Sequence, residues 1–143
     1  MPSWILVADA GRARLFSATG RHAPLEEVDG FVNPEARVPA RALERDRPML
    51  TQQSATGGST ALGSRSDTAE QAARTFAGEI CSYLDRGRNE GAYDDLVVIA
   101  PPKFLGYLRS AVKPRVNRMV SRSIAKDLTQ AAPDAIRDAF RDW

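Results

Sequence analysis

The chain has 143 residues, 43% of them hydrophobic, which suits one domain with an ordinary core and excludes a disordered polymer. A net charge of +2 is too small to argue for nucleic acid by itself. The single cysteine, Cys81, excludes an intramolecular disulfide and fits a reducing compartment.

Trp4 to Ala8 is a continuous apolar run, the signature of a strand buried on both faces. Asp9-Ala10-Gly11-Arg12 has turn chemistry, so Ala13 to Ser17 is expected to return as the second strand of a hairpin. A third strand fits Leu25 to Val32; Glu26 and Glu27 interrupt it and mark a sheet edge. Asn33 to Asp67 matches neither period and is expected to be a long loop. It carries Arg37, Arg41, Arg45, Arg47 and Arg65 and has a glycine-rich tip at Gly57-Gly58-Ser59-Thr60.

Asp67-Thr68-Ala69-Glu70 matches a capping box that would start a helix. Ala69, Ala73, Phe76, Ala77, Ile80 and Leu84 then give it one apolar face, with Gly87 or Gly91 as its end. Asp95 to Ala100 is the second buried strand, and Pro101-Pro102 stops it. Pro102 suits a helix first turn, and Phe104, Leu105, Leu108 and Val112 supply the face until Pro114 breaks it. A last strand is placed near Met119 to Ala125, followed by a short helix from Pro133 with Ile136 and Phe140 inward. The order is β-β-β-loop-α-β-α-β-α, an α/β arrangement with a mixed sheet in a single domain, 1–143.

Charge is distributed unevenly. Between Leu96 and Lys126 stand Lys103, Arg109, Lys113, Arg115, Arg118, Arg122 and Lys126, with no acid among them. Such a window is a candidate anion or RNA surface, or a face balanced in space by acids from elsewhere. Arg109 and Lys113 are four apart, which would place them on one helix side. No aromatic RNA-binding platform is visible, so binding would be driven by charge and shape.

Catalytic patterns are weak. Asp9 ends the first strand, where a metal-dependent nuclease would hold a carboxylate, with Asp127 or Glu79 as nominal partners. Asp9 is equally explained as a turn residue. His22 is the one histidine, and nothing local orients it for nucleophilic chemistry. Cys81 adjoins the apolar face of the long helix and reads as a small hydrophobe. With one Cys and one His, an ordinary zinc site is nearly excluded, and no metal or cofactor is expected. Gly57-Gly58-Ser59-Thr60 lacks the Gly-Lys-Ser/Thr of a phosphate loop and is expected to precede the helix rather than open it.

Trp4 to Asp9, Gly11 to Phe16, Asp46-Arg47-Pro48, Val98 to Gly106 and Lys126 to Thr129 together resemble the bacterial host attachment protein family across essentially the whole chain. The Ala100-Pro101-Pro102-Lys103-Phe104-Leu105-Gly106 block is the most specific part. The layout also resembles the middle domain of archaeal and eukaryotic peptide-chain release factors. That resemblance implies a ribonuclease-H-like mixed sheet of about five strands with helices packed on it. It also implies a long loop with a Gly-Gly-Gln tip. Here the tip reads Thr56-Gly57-Gly58-Ser59-Thr60, without the glutamine, which argues against peptide release. The resulting expectation is a non-catalytic module that contacts RNA or the ribosome through the loop and the basic window. An acidic protein surface met during attachment to host cells is the alternative partner. A metal-dependent hydrolase is the third reading.

The apolar N-terminal run is too short for a secretory leader, and nothing approaches the ~18 apolar residues of a membrane span. The expected location is therefore cytoplasmic.

Overall fold

The computed structural model describes the backbone of residues 2–20, 23–37 and 58–139, and the side chains of 2–20, 23–35 and 68–139. Within these residues the strands are β1 (Ser3–Ala8), β2 (Arg12–Ala18), β3 (Glu26–Val32), β4 (Asp95–Ala100) and β5 (Val120–Ala125). The helices are α1 (Pro34–Arg37), α2 (Gly58–Asn89), α3 (Pro102–Ala111), α4 (Pro114–Asn117) and α5 (Pro133–Ala139).

The sheet has five strands in the order β3-β2-β1-β4-β5. β1, β2 and β3 pair antiparallel, while β4 pairs parallel with both β1 and β5. The expected mixed sheet is therefore present. The two apolar runs are neighbours at its centre, with Leu6 beside Val98 and Val7 beside Ile99. β3, the glutamate-bearing strand, lies at an edge.

Burial on both faces explains why β1 lacks alternation. One face carries Trp4, Leu6, Ala8, Leu15, Leu96 and Val98 against α2 and α3. The helices answer with Ala73, Phe76, Ala77, Ile80 and Leu84 from α2 and Phe104, Leu105 and Leu108 from α3. The other face carries Ile5, Val7, Phe16, Val97 and Ile99, closed by Ile136 of α5. Phe140, expected inward beside Ile136, lies outside the described residues.

Two expectations need correction, and one pair of alternatives is resolved. The segment 33–67 is not loop throughout, because Pro34–Arg37 forms a helical turn and α2 begins at Gly58. Asp67 is therefore inside a helix, and the Asp67-Thr68-Ala69-Glu70 box is not its start. The physical reason is cooperativity: no proline interrupts 58–89, and Ala61, Leu62 and Arg65 favour propagation once the helix is nucleated downstream. Gly58, Ser59 and Thr60 open this helix rather than forming a free tip.

Of the two glycines expected to close α2, it is Gly91 and not Gly87 that does so. The helix runs through Gly87 to Asn89, and Gly91 turns the chain with φ +70°. The second correction is that α3 stops at Ala111 and Lys113 caps the separate turn α4, so Arg109 and Lys113 do not share a helix. Pro114 removes an amide donor and ends one helix, yet it is well suited to the first turn of the next.

Candidate functional site

The basic window does not fold into one surface. Arg109 ends α3, and Lys113, Arg115 and Arg118 follow on and around α4. These four are exposed and lie at one end of the helical layer. Lys103 is in the first turn of α3, at the far end of that helix. Arg122 pairs in register with Val97 and therefore belongs to the α5 face. Lys126 follows β5 and is exposed.

An acid from outside the window meets two of the four grouped cations. Asp85, near the end of α2, accepts from Arg115 Nε at 2.9 Å and Arg115 Nη2 at 3.2 Å, a two-pronged pairing. Lys113 Nζ also reaches Asp85, at 3.4 Å. The Asp85 side chain is 10% exposed, against 45% for Arg115 and 61% for Lys113, so the cations cover the carboxylate. The hydrogen bonds from Arg115 lead in holding the Asp85 carboxyl below its usual range, and Asp85 in turn raises Arg115. Two of the four exposed cations, Lys113 and Arg115, thus share this shielded acid, while Arg109 and Arg118 are exposed before and after them in the chain.

The pairing has a pH signature. A carboxylate with a depressed folded pKa contributes stability that is fully present above its unfolded value, about 3.9, and lost as pH falls through the folded value. Urea midpoints of the native chain should therefore fall as pH drops below about 4, by more than those of Asp85→Asn. Parallel curves for the two proteins would show that the pair adds nothing.

A second polar cluster forms where β1 ends. Asp9 Oδ1 accepts from the Gly11 and Arg12 amides at 2.8 and 2.9 Å, which is the turn role expected for it. Its other oxygen lies 3.1 Å from the Thr129 hydroxyl, which is also 2.8 Å from Asp127 Oδ1. One hydroxyl proton can serve only one of these carboxylates at a time. Arg14 Nη1 donates to the Thr129 and Ala131 carbonyls at 3.1 and 2.8 Å. Asn33 Nδ2 bridges the Ala10 and Ala72 carbonyls. The cluster clasps the segment after β5 to the first hairpin. Asp127 does approach Asp9, whereas Glu79 takes no part in these bonds. Among the described residues no group of three or more His, Cys, Asp or Glu side chains is arranged to hold a metal ion.

Of the remaining candidates, Arg37 lies in α1 and Arg65, like Gly58, Ser59 and Thr60, in α2, without described side-chain placement. His22, Arg41, Arg45, Arg47 and Gly57 lie outside the described residues. Asp85 and Thr129 were missed in the sequence. A lone Asp on a helix carries no local signal because its partners are distant along the chain, and Thr129, although beside Asp127, gives no sign of its second contact with Asp9.

A family described as "Protein required for attachment to host cells" matches residues 4–140. No curated protein matches the sequence. Among solved structures, the crystal structure of the archaeal translation termination factor aRF1 is similar, with a TM-score of 0.51 and 12% sequence identity. The match covers 99% of this chain and 37% of that one, so the chain spans little over a third of the larger protein. At that identity the likeness is one of fold. No helix among the described residues is long and apolar enough to cross a membrane.

Proposed function

This chain belongs to the family of proteins required for attachment to host cells, and from that premise we propose that it is a non-catalytic module that binds RNA, foremost on the ribosome. The family description names a requirement and no chemistry. The observation that carries the proposal is the run Arg109, Lys113, Arg115 and Arg118, all exposed between the end of α3 and the end of α4, with one covered acid, Asp85, held by two of them. Exposed cations that can release counterions from phosphates are the general source of nucleic-acid affinity. The arginines between Arg37 and Arg65 would add to it. Likeness in fold to a translation termination factor directs the choice of RNA toward the ribosome. Peptide release is not part of the proposal, because Ser59 stands where a release factor carries glutamine.

The test is co-sedimentation of the full chain with ribosomes across a salt series. Arg109→Glu and Arg118→Glu together are the informative variant, since neither residue supports Asp85. Each lost phosphate contact lowers the salt slope by about 0.7 to 0.9, so the double variant should bind more weakly with a slope smaller by about 1.4 to 1.8. Binding that ignores salt, or no co-sedimentation at all, would overturn the reading. Retention of an acidic protein instead would favour a protein-binding attachment factor.

A further inference from the structure

Arg115 meets Asp85 side-on. Its Nε donates to Oδ1 at 2.9 Å and its Nη2 to Oδ2 at 3.2 Å, so one edge of the planar guanidinium is committed to the acid. The remaining N–H donors belong to Nη1 and the far side of Nη2. Among the described residues no acceptor meets them. They lie on the edge turned away from Asp85, on a side chain that is 45% exposed.

Lys113 Nζ lies 3.4 Å from Asp85 Oδ2, the oxygen that Arg115 Nη2 also approaches. One carboxylate oxygen therefore gathers two cationic groups, which keeps them close enough to share a further anion. Pro114 stiffens the backbone between them. Two cations against one covered acid leave the trio positive toward solvent. A phosphate group fits this arrangement. Its oxygens can take paired donors from the open guanidinium edge and the point charge of the ammonium.

We propose that Lys113 and Arg115 form a phosphate clamp for which Asp85 is the positioning residue. The source of the phosphate, a backbone diester, rests on the RNA reading; the clamp itself would also take free phosphate.

The consequence runs against simple charge counting. Removing the charge of Asp85 would by itself strengthen anion binding, by about twofold for groups several ångströms apart in salted water. Asparagine, however, offers one acceptor where the fork needs two, so it frees Arg115. A long side chain that must be ordered on binding weakens affinity by about 2- to 10-fold. The positioning effect is the larger, and Asp85→Asn should weaken phosphate binding by about threefold.

The experiment is an NMR titration of the full chain with inorganic phosphate and, separately, with octauridylate. It is read at the Arg115 Nε–Hε signal and at the backbone amides around α4. Both probes should give saturable shifts that sodium chloride at equal ionic strength does not reproduce, and Asp85→Asn should weaken both. Arg115→Gln should remove the phosphate response while leaving Asp85 on Lys113, so the test holds even where Asp85→Asn folds poorly. In the Arg115→Gln background, Asp85→Asn should no longer weaken octauridylate binding, because only its charge is left to act. No saturable response to phosphate, or Asp85→Asn binding as tightly as the native chain or tighter, would overturn the proposal. An equal loss in the Arg115→Gln background would do so too, since Asp85 would then act through the fold. A response to phosphate without one to octauridylate would support the clamp and overturn the RNA reading instead.

Discussion

Replacing Ile99 with Asp is expected to leave the chain unfolded at 25 °C. Ile99 is fully buried in β4, paired in register with Val7 of β1 and Ile124 of β5. It faces the layer closed by Ile136. The variant loses about 1.5–3 kcal/mol of side-chain burial. It also places a carboxylate among apolar groups, which costs several kcal/mol more whether the group stays charged or takes up a proton. Total stability of such a domain is about 5–15 kcal/mol, so the sum removes most or all of it. Ile99→Val, by contrast, should lose about 0.5–1.5 kcal/mol. Far-UV circular dichroism and urea unfolding separate these outcomes. A cooperative, near-native melt for Ile99→Asp would contradict the central place of β4.

The strands that are easiest to recognise in the sequence are the ones buried on both sides. Trp4 to Ala8 and Leu96 to Ala100 have no alternation because α2 and α3 cover one face and α5 the other. The glutamates of β3 marked an edge because an edge tolerates charge. The upstream part of α2 was hidden for an equally physical reason. Gly57-Gly58-Ser59-Thr60 is poor in helix propensity, and local preference says loop. The helix that begins at Gly58 draws on a long cooperative segment with its packing face further on, which no local window contains.

Candidate site residues divide along similar lines. The excess of cations between Leu96 and Lys126 is a property of composition and was readable. How many of them act together is a property of topology. Arg122 goes to the other face through strand register, and Lys103 to the other end of α3. Asp85 compensates Lys113 and Arg115 from a helix far away in sequence.

The same substitution at two positions of α2 should give opposite signs. At Gly78 an added Cβ meets nothing within 4 Å, so Gly78→Ala should stabilise by about 0.5–1 kcal/mol through helix propensity and a less free unfolded chain. At Gly87 the same Cβ would lie 2.5 and 2.6 Å from two ring carbons of Trp4. Trp4 cannot simply retreat. It stacks on Tyr93 at 4.6 Å and on Tyr83 at 5.8 Å, and Tyr93 is held by its hydroxyl donating to the Leu84 carbonyl at 2.7 Å. Tyr83 in turn donates to Asp29 at 2.7 Å. Overpacking a braced site costs about 1–3 kcal/mol, which exceeds the propensity gain, so Gly87→Ala should destabilise and Gly87→Val should do so more strongly. Trp4→Leu removes the obstructing ring and is costly alone. Combined with Gly87→Ala it should recover part of that cost, giving a favourable coupling in a double-mutant cycle. Urea midpoints of the four proteins measure it. Additive losses would mean that Gly87 is tolerated for some reason other than the approach of Trp4, and a stabilised Gly87→Ala would place the ring elsewhere altogether.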